Sequence, residues 1–463
     1  MKVGSFSTLW IGSKSHTKNM KNKRDKPVVV VVGAGLIGTL SAYWLSYSNR
    51  YKVICIDKGP APASGTSKAN AGRFCPSLLG DFAPKLSTLK SLLLPTTEAG
   101  VGNVDWSPSV ISWGVKYLHA AGLKRAEVNE TLSELGSLST TLMNHLMHNV
   151  IKLEKTDHNI WVYDNESSLA GGKALLDANS GAKYSALEPT KCAALTSLSL
   201  SIFGKNGGCL IVESDFTADA RVFTEQVAKD SSLKHSCEFR FNSAVEKINR
   251  NEQGKLSSVQ LQDGSIIPCD FMVVACGPWT NHFMSKWFGL TFPIMPLRGA
   301  SVQLEDVSNR PTIGFADHTS GDLHFQVTPI GKTSLRLAGF ADVVSDPLSN
   351  QIDVECSSKY KHALLARLRV AMPEVTWKNE SAVWCGLRPV TPDRLPIIGP
   401  SGAPDVYLNV GHGAIGWTLA AVSGYLLCAT MLKDHGYPAL GIAEEGDKFN
   451  VKKKLGVDRF WPL

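Results

Sequence analysis

Three glycines in the run Gly33-Ala34-Gly35-Leu36-Ile37-Gly38 have the GxGxxG spacing with which a backbone cradles a diphosphate. One glycine makes a tight turn, another lets the chain approach the anion without a Cβ, and the third lets a helix lie close to a strand. The helix amino terminus that follows offers N–H groups without intrahelical partners, and its dipole favours negative charge. Asp57, followed by Lys58, ends the next apolar run, at the offset where an acid accepts hydrogen bonds from adenosine ribose hydroxyls. Its charge also disfavours a 2′-phosphate. A Gly-rich turn beside a solvated Asp is the bland alternative, and the motif by itself does not choose between NAD and FAD.

The elements that must hold this cradle are legible around it. Pro27 precedes five consecutive valines, Val28 to Val32, the run expected of a parallel strand buried on both faces. A helix is expected from Leu36 to about Tyr47 and a strand from Lys52 to Asp57, closing a right-handed β-α-β unit, with Ala42 extending the close packing begun at Gly38. Further on, the pattern predicts a helix from Leu132 to Lys155, another from Asp215 to Lys229, and a hairpin of Val245 to Ile248 with Leu256 to Leu261 turning at Gly254. Phe271 to Ala275 reads as a second buried strand of the first layer. From Leu297 to Gly339, alternating runs such as Leu323 to Val327 and Ser334 to Ala338 predict antiparallel strands joined at Ile330-Gly331-Lys332.

The fold class is α/β with α+β mixing: a Rossmann-like dinucleotide domain interleaved with an antiparallel-sheet substrate domain. The expected division is 1–26 as a basic extension, 27–115 with 200–296 and 385–435 as the dinucleotide domain, 116–199 with 297–384 as the substrate domain, and 436–463 as a tail.

Composition removes several function classes. The chain has 463 residues, 43% of them hydrophobic, enough to bury a large core. Its net charge of +7 is concentrated in the first 26 residues, where seven Lys and Arg stand against Asp25. The remainder is near neutral, without the basic face that nucleic acid requires, so no nucleic-acid partner is expected. Ten scattered cysteines form no CxxC pair and are expected to be reduced, buried thiols; no metal site is indicated. The extension is basic, rich in Ser and Thr and nearly free of acid, as in a mitochondrial presequence or a disordered tail, and an intracellular location, mitochondrial or cytoplasmic, is expected. Gly416 to Leu432 approaches the length of a membrane span but is expected to be a buried helix; no transmembrane span is predicted, and peripheral membrane contact is left open.

Several segments choose the cofactor. Thr66-Ser67-Lys68-Ala69-Asn70-Ala71-Gly72 resembles the TSxANxG segment of D-amino-acid dehydrogenases. Leu187-Glu188-Pro189, Val245, and the strand-turn Val273 to Gly277 continue the likeness. It is strongest in Trp384-Cys385-Gly386-Leu387-Arg388-Pro389-Val390-Thr391-Pro392-Asp393, in Leu395 to Gly399, and in Gly411-His412-Gly413-Ala414-Ile415-Gly416-Trp417-Thr418. Taken together the chain resembles the D-amino-acid oxidase and glycine oxidase superfamily, nearest its dehydrogenase branch, from Val28 to about Leu432. Ser77 to Glu130 matches poorly, and the extension has no counterpart.

The resemblance implies FAD, bound by Gly33 to Gly38, Asp57, Lys58, Thr66, Ser67, Asn70, Gly72, Val245, Gly277, Gly411, Gly413, Ala414, Ile415, Gly416 and Trp417. It implies that Arg388 clamps a substrate carboxylate, and His412 is a candidate donor beside the flavin. Arg336 is a weaker candidate, expected to be structural, and Trp417 is expected to serve packing more than chemistry. His318 and His324 are candidate pocket residues, His318 more readily a solvated loop residue; Asp317-His318-Thr319-Ser320 stands where related dehydrogenases often place a tyrosine over the substrate, so the resemblance does not carry over the side-chain specificity.

The implied reaction is oxidative deamination of a small D-amino acid by hydride transfer from Cα to flavin N5, giving a 2-oxo acid and ammonia, with quinone or O2 as electron acceptor. The alternatives are a glycine or sarcosine oxidase using O2, a non-catalytic FAD-bound assembly factor and, third, an NAD-linked dehydrogenase. The oligomeric state is left open.

Overall fold

A computed structural model describes residues 26–85, 107–179, 181–204, 206–318, 325–344, 346–349 and 354–460. The amino-terminal extension, Thr319, Ser320 and the candidate His324 lie outside the described residues.

The valine run forms the strand Val28–Val32, paired in parallel with Lys52–Ile56 on one side and Phe271–Val274 on the other. It is thus the centre of a six-stranded sheet, completed by Val406–Val410, the antiparallel Ile397–Pro400, and Glu238–Arg240. Covered on both faces, it can be valine throughout, because neither face meets water. One face carries the helices Leu36–Tyr47, Ala220–His235 and Gly416–Asp434. The first and last of these meet closely: Trp44 Nε1 donates to the Ala421 carbonyl at 3.1 Å, so the indole polar atom is satisfied inside the core. The other face is covered by the small sheet Val245–Arg250, Leu256–Leu261 and Ile266–Pro268 and by the helix Thr280–Phe288. The Gly416–Asp434 helix is apolar enough to cross a membrane, yet its side chains lie in the protein core.

The second layer is a ten-stranded sheet. Its centre runs through Met295–Glu305, Ser334–Val343, Gln326–Ile330, Phe315–Asp317, Lys155–Tyr163 and Gly208–Ala218, antiparallel except where Phe315–Asp317 meets Lys155–Tyr163 in parallel. Trp384–Val390 adds to Met295–Glu305, with Arg388 opposite Leu297, and Arg73–Phe74 adds to Gly208–Ala218. Residues 436–460 pack back onto the body, burying Val451, Leu455 and Phe460.

Two expected helices shift. The long one spans Arg125–Asn149, and Lys155 instead opens a strand, because the chain leaves the helix at Val150 to enter the second sheet. Asp215 lies in the strand Gly208–Ala218 and not in the helix that follows, whose amino-terminal cap is the Asp219 carboxylate accepting from Arg221 N. Sheet pairing along the whole of Lys155–Tyr163 overrides the local helix signal at 215–218. None of the nine described cysteines forms a disulfide, and burial raises the thiol pKa at Cys55, Cys75 and Cys428.

Candidate active site

A cavity of about 1020 Å³ begins at the carboxyl ends of the parallel strands and extends to the face of the ten-stranded sheet. Ligands of open α/β sheets bind at that edge. Gly33, Gly35, Leu36 and Ile37 line its first end, with Asp57 and Lys58 beside them. Ala34 and Gly38 do not line it. Ala34 is fully buried, and its N–H donates to Asp57 Oδ2 at 2.6 Å, while Asp57 Oδ1 accepts from Gly59 N at 2.7 Å. Two amides therefore fix the carboxylate at the strand end, with lone pairs left for further donors. Gly33 has φ of +106°, and a Cβ there would meet the Ala275 carbonyl oxygen at 2.5 Å, so only glycine keeps the cradle open.

The 66–72 segment crosses between the two sheets and is tied down at each step. Thr66 Oγ1 donates to the Leu387 carbonyl at 2.9 Å, Ser301 Oγ to that of Ala69 at 2.8 Å, and Thr328 Oγ1 to that of Ala71 at 2.6 Å. Ser67 Oγ accepts from Leu36 N at 3.1 Å, which occupies one free amide of the first helix. Thr66, Ser67, Asn70 and Gly72 thus line the cavity, as do Val245 and Gly277. So does the loop from Gly411 to Gly416, together with Trp417 at the start of the last long helix.

Arg388 enters from the second sheet. Its Nη1 donates to the Phe340 carbonyl at 2.7 Å, and the guanidinium lies over Gly299, where a Cβ would collide with it. Burial lowers its pKa and the nearby Asp342 carboxylate counteracts that. Asp342 in turn accepts from the Tyr360 hydroxyl, and burial raises its pKa. An arginine keeps its charge at any working pH, so a cation with unused donors faces the cavity. His412 is buried with Nε2 unpartnered, and burial holds its pKa down to about 3, so it is neutral at working pH.

Arg336 is not in this group. It donates to Asp219 at 2.9 Å, to Gln303 and to the Asn70 carbonyl, a structural clamp that steadies the 66–72 segment. His318 is exposed and stacks on Tyr163 at 5.3 Å. Trp417 packs against Phe216 and Phe223 while its Nε1 has no acceptor.

Sequence reading missed Arg73 and Arg394, both of which line the cavity. Arg73 directly follows the TSxANxG-like segment and Arg394 directly follows Asp393, so adjacency to those motifs was the available signal. Nε and Nη2 of Arg73 are buried without partners. Behind it lies Asp215, buried and accepting from Ser77 N at 3.3 Å and Ser77 Oγ at 2.7 Å; burial lifts its pKa to about 6 against the pull of those bonds and of Arg73.

Unpartnered donors at Arg73 and Trp417, with the neutral imidazole of His412, would suit an acceptor-rich group at this end, and the glycine cradle would suit a diphosphate at the other. A flavin dinucleotide has both features, acceptor atoms along its pyrimidine edge and a diphosphate at its centre, so the residues fit it. The parallel sheet, its cradle and the cavity reaching the second sheet define a dinucleotide-dependent oxidoreductase. The chain belongs to the FAD dependent oxidoreductase (DAO) family, whose profile matches residues 29–430, and its cofactor is FAD. The D-amino acid dehydrogenase of Xanthobacter autotrophicus is 27% identical over 417 residues, covering 86% of this chain and 94% of the relative. D-amino acid dehydrogenase 2 of Mesorhizobium japonicum is 26% identical, covering 86% and 95%. Among solved structures, glycine oxidase from Geobacillus kaustophilus superposes with a TM-score of 0.65 at 17% identity, covering 93% of this chain and 98% of that one. L-proline dehydrogenase from P. horikoshii gives 0.61 at 15%, covering 93% and 99%. At these identities the structural matches speak for the fold.

Proposed function

We propose that the protein oxidises the Cα–N bond of an amino acid, a D-amino acid by its likeness to the dehydrogenases, to an imino acid that water hydrolyses to a 2-oxo acid and ammonia. The single observation that carries this is Arg388: a guanidinium on the wall of the FAD cavity whose Nη1 donates to the Phe340 carbonyl and whose remaining donors are left for a ligand. A planar fork of this kind matches a carboxylate in two parallel hydrogen bonds.

In this reading Gly33 to Ile37 and Asp57 would hold the diphosphate and ribose of FAD, and the loop from Gly411 to Gly416 at the start of the Gly416–Asp434 helix would hold its flavin end. Bound FAD supplies a two-electron acceptor for the hydride leaving Cα. The chain itself contributes position. Arg388 holds the carboxylate, and Phe340, Leu297 and Trp384, which line the same cavity, exclude water from its surroundings. His412, neutral at working pH, serves as a hydrogen-bonding group and not as a titrating base. No side-chain base is required if the substrate amine enters unprotonated. The acceptor that would reoxidise the FAD is a quinone or O2.

The test replaces Arg388 with Leu and follows flavin reduction by D-alanine and D-proline under anaerobic conditions. Losing two charge-assisted hydrogen bonds of about 1.5–3 kcal/mol each predicts substrate affinity weaker by about two orders of magnitude or more, with FAD retained. Unchanged affinity would remove Arg388 from this role.

A further inference from the structure

The cavity carries more positive charge than one carboxylate can use. Among the described residues lining it, Asp57 is the one carboxylate, fixed at the dinucleotide end, while Arg73, Arg388 and Arg394 line the remainder. Arg394 stands out. It follows Asp393 in the turn closed by its own N–H to the Thr391 carbonyl at 3.1 Å, and its φ is +62°, in the left-handed region that a side chain adopts at a cost.

Its partners are all neutral. Nη1 donates to the Phe82 carbonyl at 3.1 Å, Nη2 reaches the Tyr117 hydroxyl at 3.5 Å, and the guanidinium lies 4.8 Å from the centre of the Phe82 ring. The neighbouring carboxylate goes elsewhere, since both oxygens of Asp393 bind Arg459, at 2.7 and 3.2 Å. Other buried arginines of the region have an acid: Arg336 has Asp219, and Arg388 has Asp342 nearby. No described carboxylate forms an ion pair with Arg394. Burial pulls its pKa down, and Tyr117 is the one group that offsets this. A buried guanidinium without a counter-charge is costly, and an anionic ligand would offset that cost.

We infer that Arg394 is a second carboxylate-recognising residue and that the substrate is an amino acid whose side chain ends in an acidic group, its α-carboxylate on Arg388 and its distal carboxylate on Arg394. This rests on the amino-acid oxidation proposed above. Phe82 and Tyr117 position the guanidinium, and Tyr117 is itself fixed by the backbone of Lys85, its hydroxyl donating to the carbonyl at 3.0 Å and accepting from Lys85 N at 3.1 Å.

The experiment uses the FAD-loaded protein, anaerobically, with D-alanine, D-aspartate, D-glutamate and D-2-aminoadipate, and in parallel titrates the flavin absorbance with butyrate and glutarate, which cannot be oxidised. Arg394→Gln, which keeps a donor for the Phe82 carbonyl, is compared with Arg394→Leu. The expected result is a preference for one acidic amino acid over D-alanine, and for glutarate over butyrate, that falls about 10- to 150-fold in both variants, while D-alanine and butyrate change less than threefold. Equal losses for neutral and acidic ligands would make Arg394 structural and overturn the inference. So would a wild-type protein that binds glutarate no more tightly than butyrate. If no amino acid reduces the flavin yet glutarate binding still depends on Arg394, the oxidation reading fails and the dicarboxylate site stands.

Discussion

Asp215 gives a prediction whose sign and size follow from its surroundings. It is a carboxylate sealed behind the cavity wall, with Ser77 as its hydrogen-bond partner and Arg73 as the nearby cation, and its pKa rises from 3.8 to about 6 because desolvation outweighs both. A raised acid pKa means that the folded protein binds this proton more tightly than the unfolded chain does. Below pH 3.8 both states are protonated and the site costs nothing; above about 6 the folded state carries the full penalty, ~3 kcal/mol at about 1.4 kcal/mol per pH unit. Asp215→Asn keeps the shape, an oxygen to accept from Ser77 N and an amide to donate to Ser77 Oγ, and never ionises. The variant is expected to be more stable than wild type at pH 8, with the difference vanishing as pH falls to 4. For a chain of this length, at about 2.1 cal/mol/K of unfolding entropy per residue, the gain corresponds to ~3 °C in Tm. Differential scanning of the FAD-bound proteins from pH 4 to 8 reads it. A variant that is less stable at pH 8, or whose shift is the same at every pH, would refute the reasoning.

Gly33→Ala is expected to lose FAD on gel filtration and to unfold at lower temperature, since the added Cβ meets the Ala275 carbonyl and the backbone stands at φ +106°; overpacking of this kind costs about 1–3 kcal/mol, and retention of full flavin content would contradict it. His412 has its pKa pushed down to about 3 by burial, so the folded state resists its protonation and stability falls as pH drops below 6.5. His412→Gln is therefore expected to hold its Tm better than wild type between pH 6 and 4, and the wild-type rate of flavin reduction to show no inflection from this group above pH 5.5. Identical acid sensitivity of the two proteins in thermal melts would show that His412 is not the group responsible.

The cradle was legible in the sequence because each of its parts is local: five valines, three glycines and an acid at a fixed offset say the same thing. The 66–72 segment, the strand bearing Arg388 and the loop from Gly411 to Gly416 came from resemblance, and the fold places them all on one cavity. Arg73 and Arg394 were not legible, because what distinguishes them arises only after folding: Arg73 keeps buried donors without hydrogen-bond partners, and Arg394 is left without an ion pair among the described residues because Asp393 serves Arg459. Asp215 was misplaced for a related reason. Acidic and Thr residues at 215–219 resemble a helix start, but the strand continues to Ala218 because Lys155–Tyr163 pairs with it along its length, across an irregularity between Asp157 and Asn159. Local signals fixed the elements with strong periodicity; the distribution of charge among buried partners is a property of the assembled sheets.

The central claim is that the cavity brings an amino-acid carboxylate, held at Arg388, to bound FAD. Purified yellow protein, mixed in the absence of oxygen with a panel of D- and L-amino acids including acidic ones, measures this most directly through the flavin absorbance. Bleaching by at least one D-amino acid is expected, with the matching 2-oxo acid and ammonia formed in amounts equal to the flavin reduced. A fully loaded, well-folded flavoprotein whose spectrum no amino acid bleaches would contradict it.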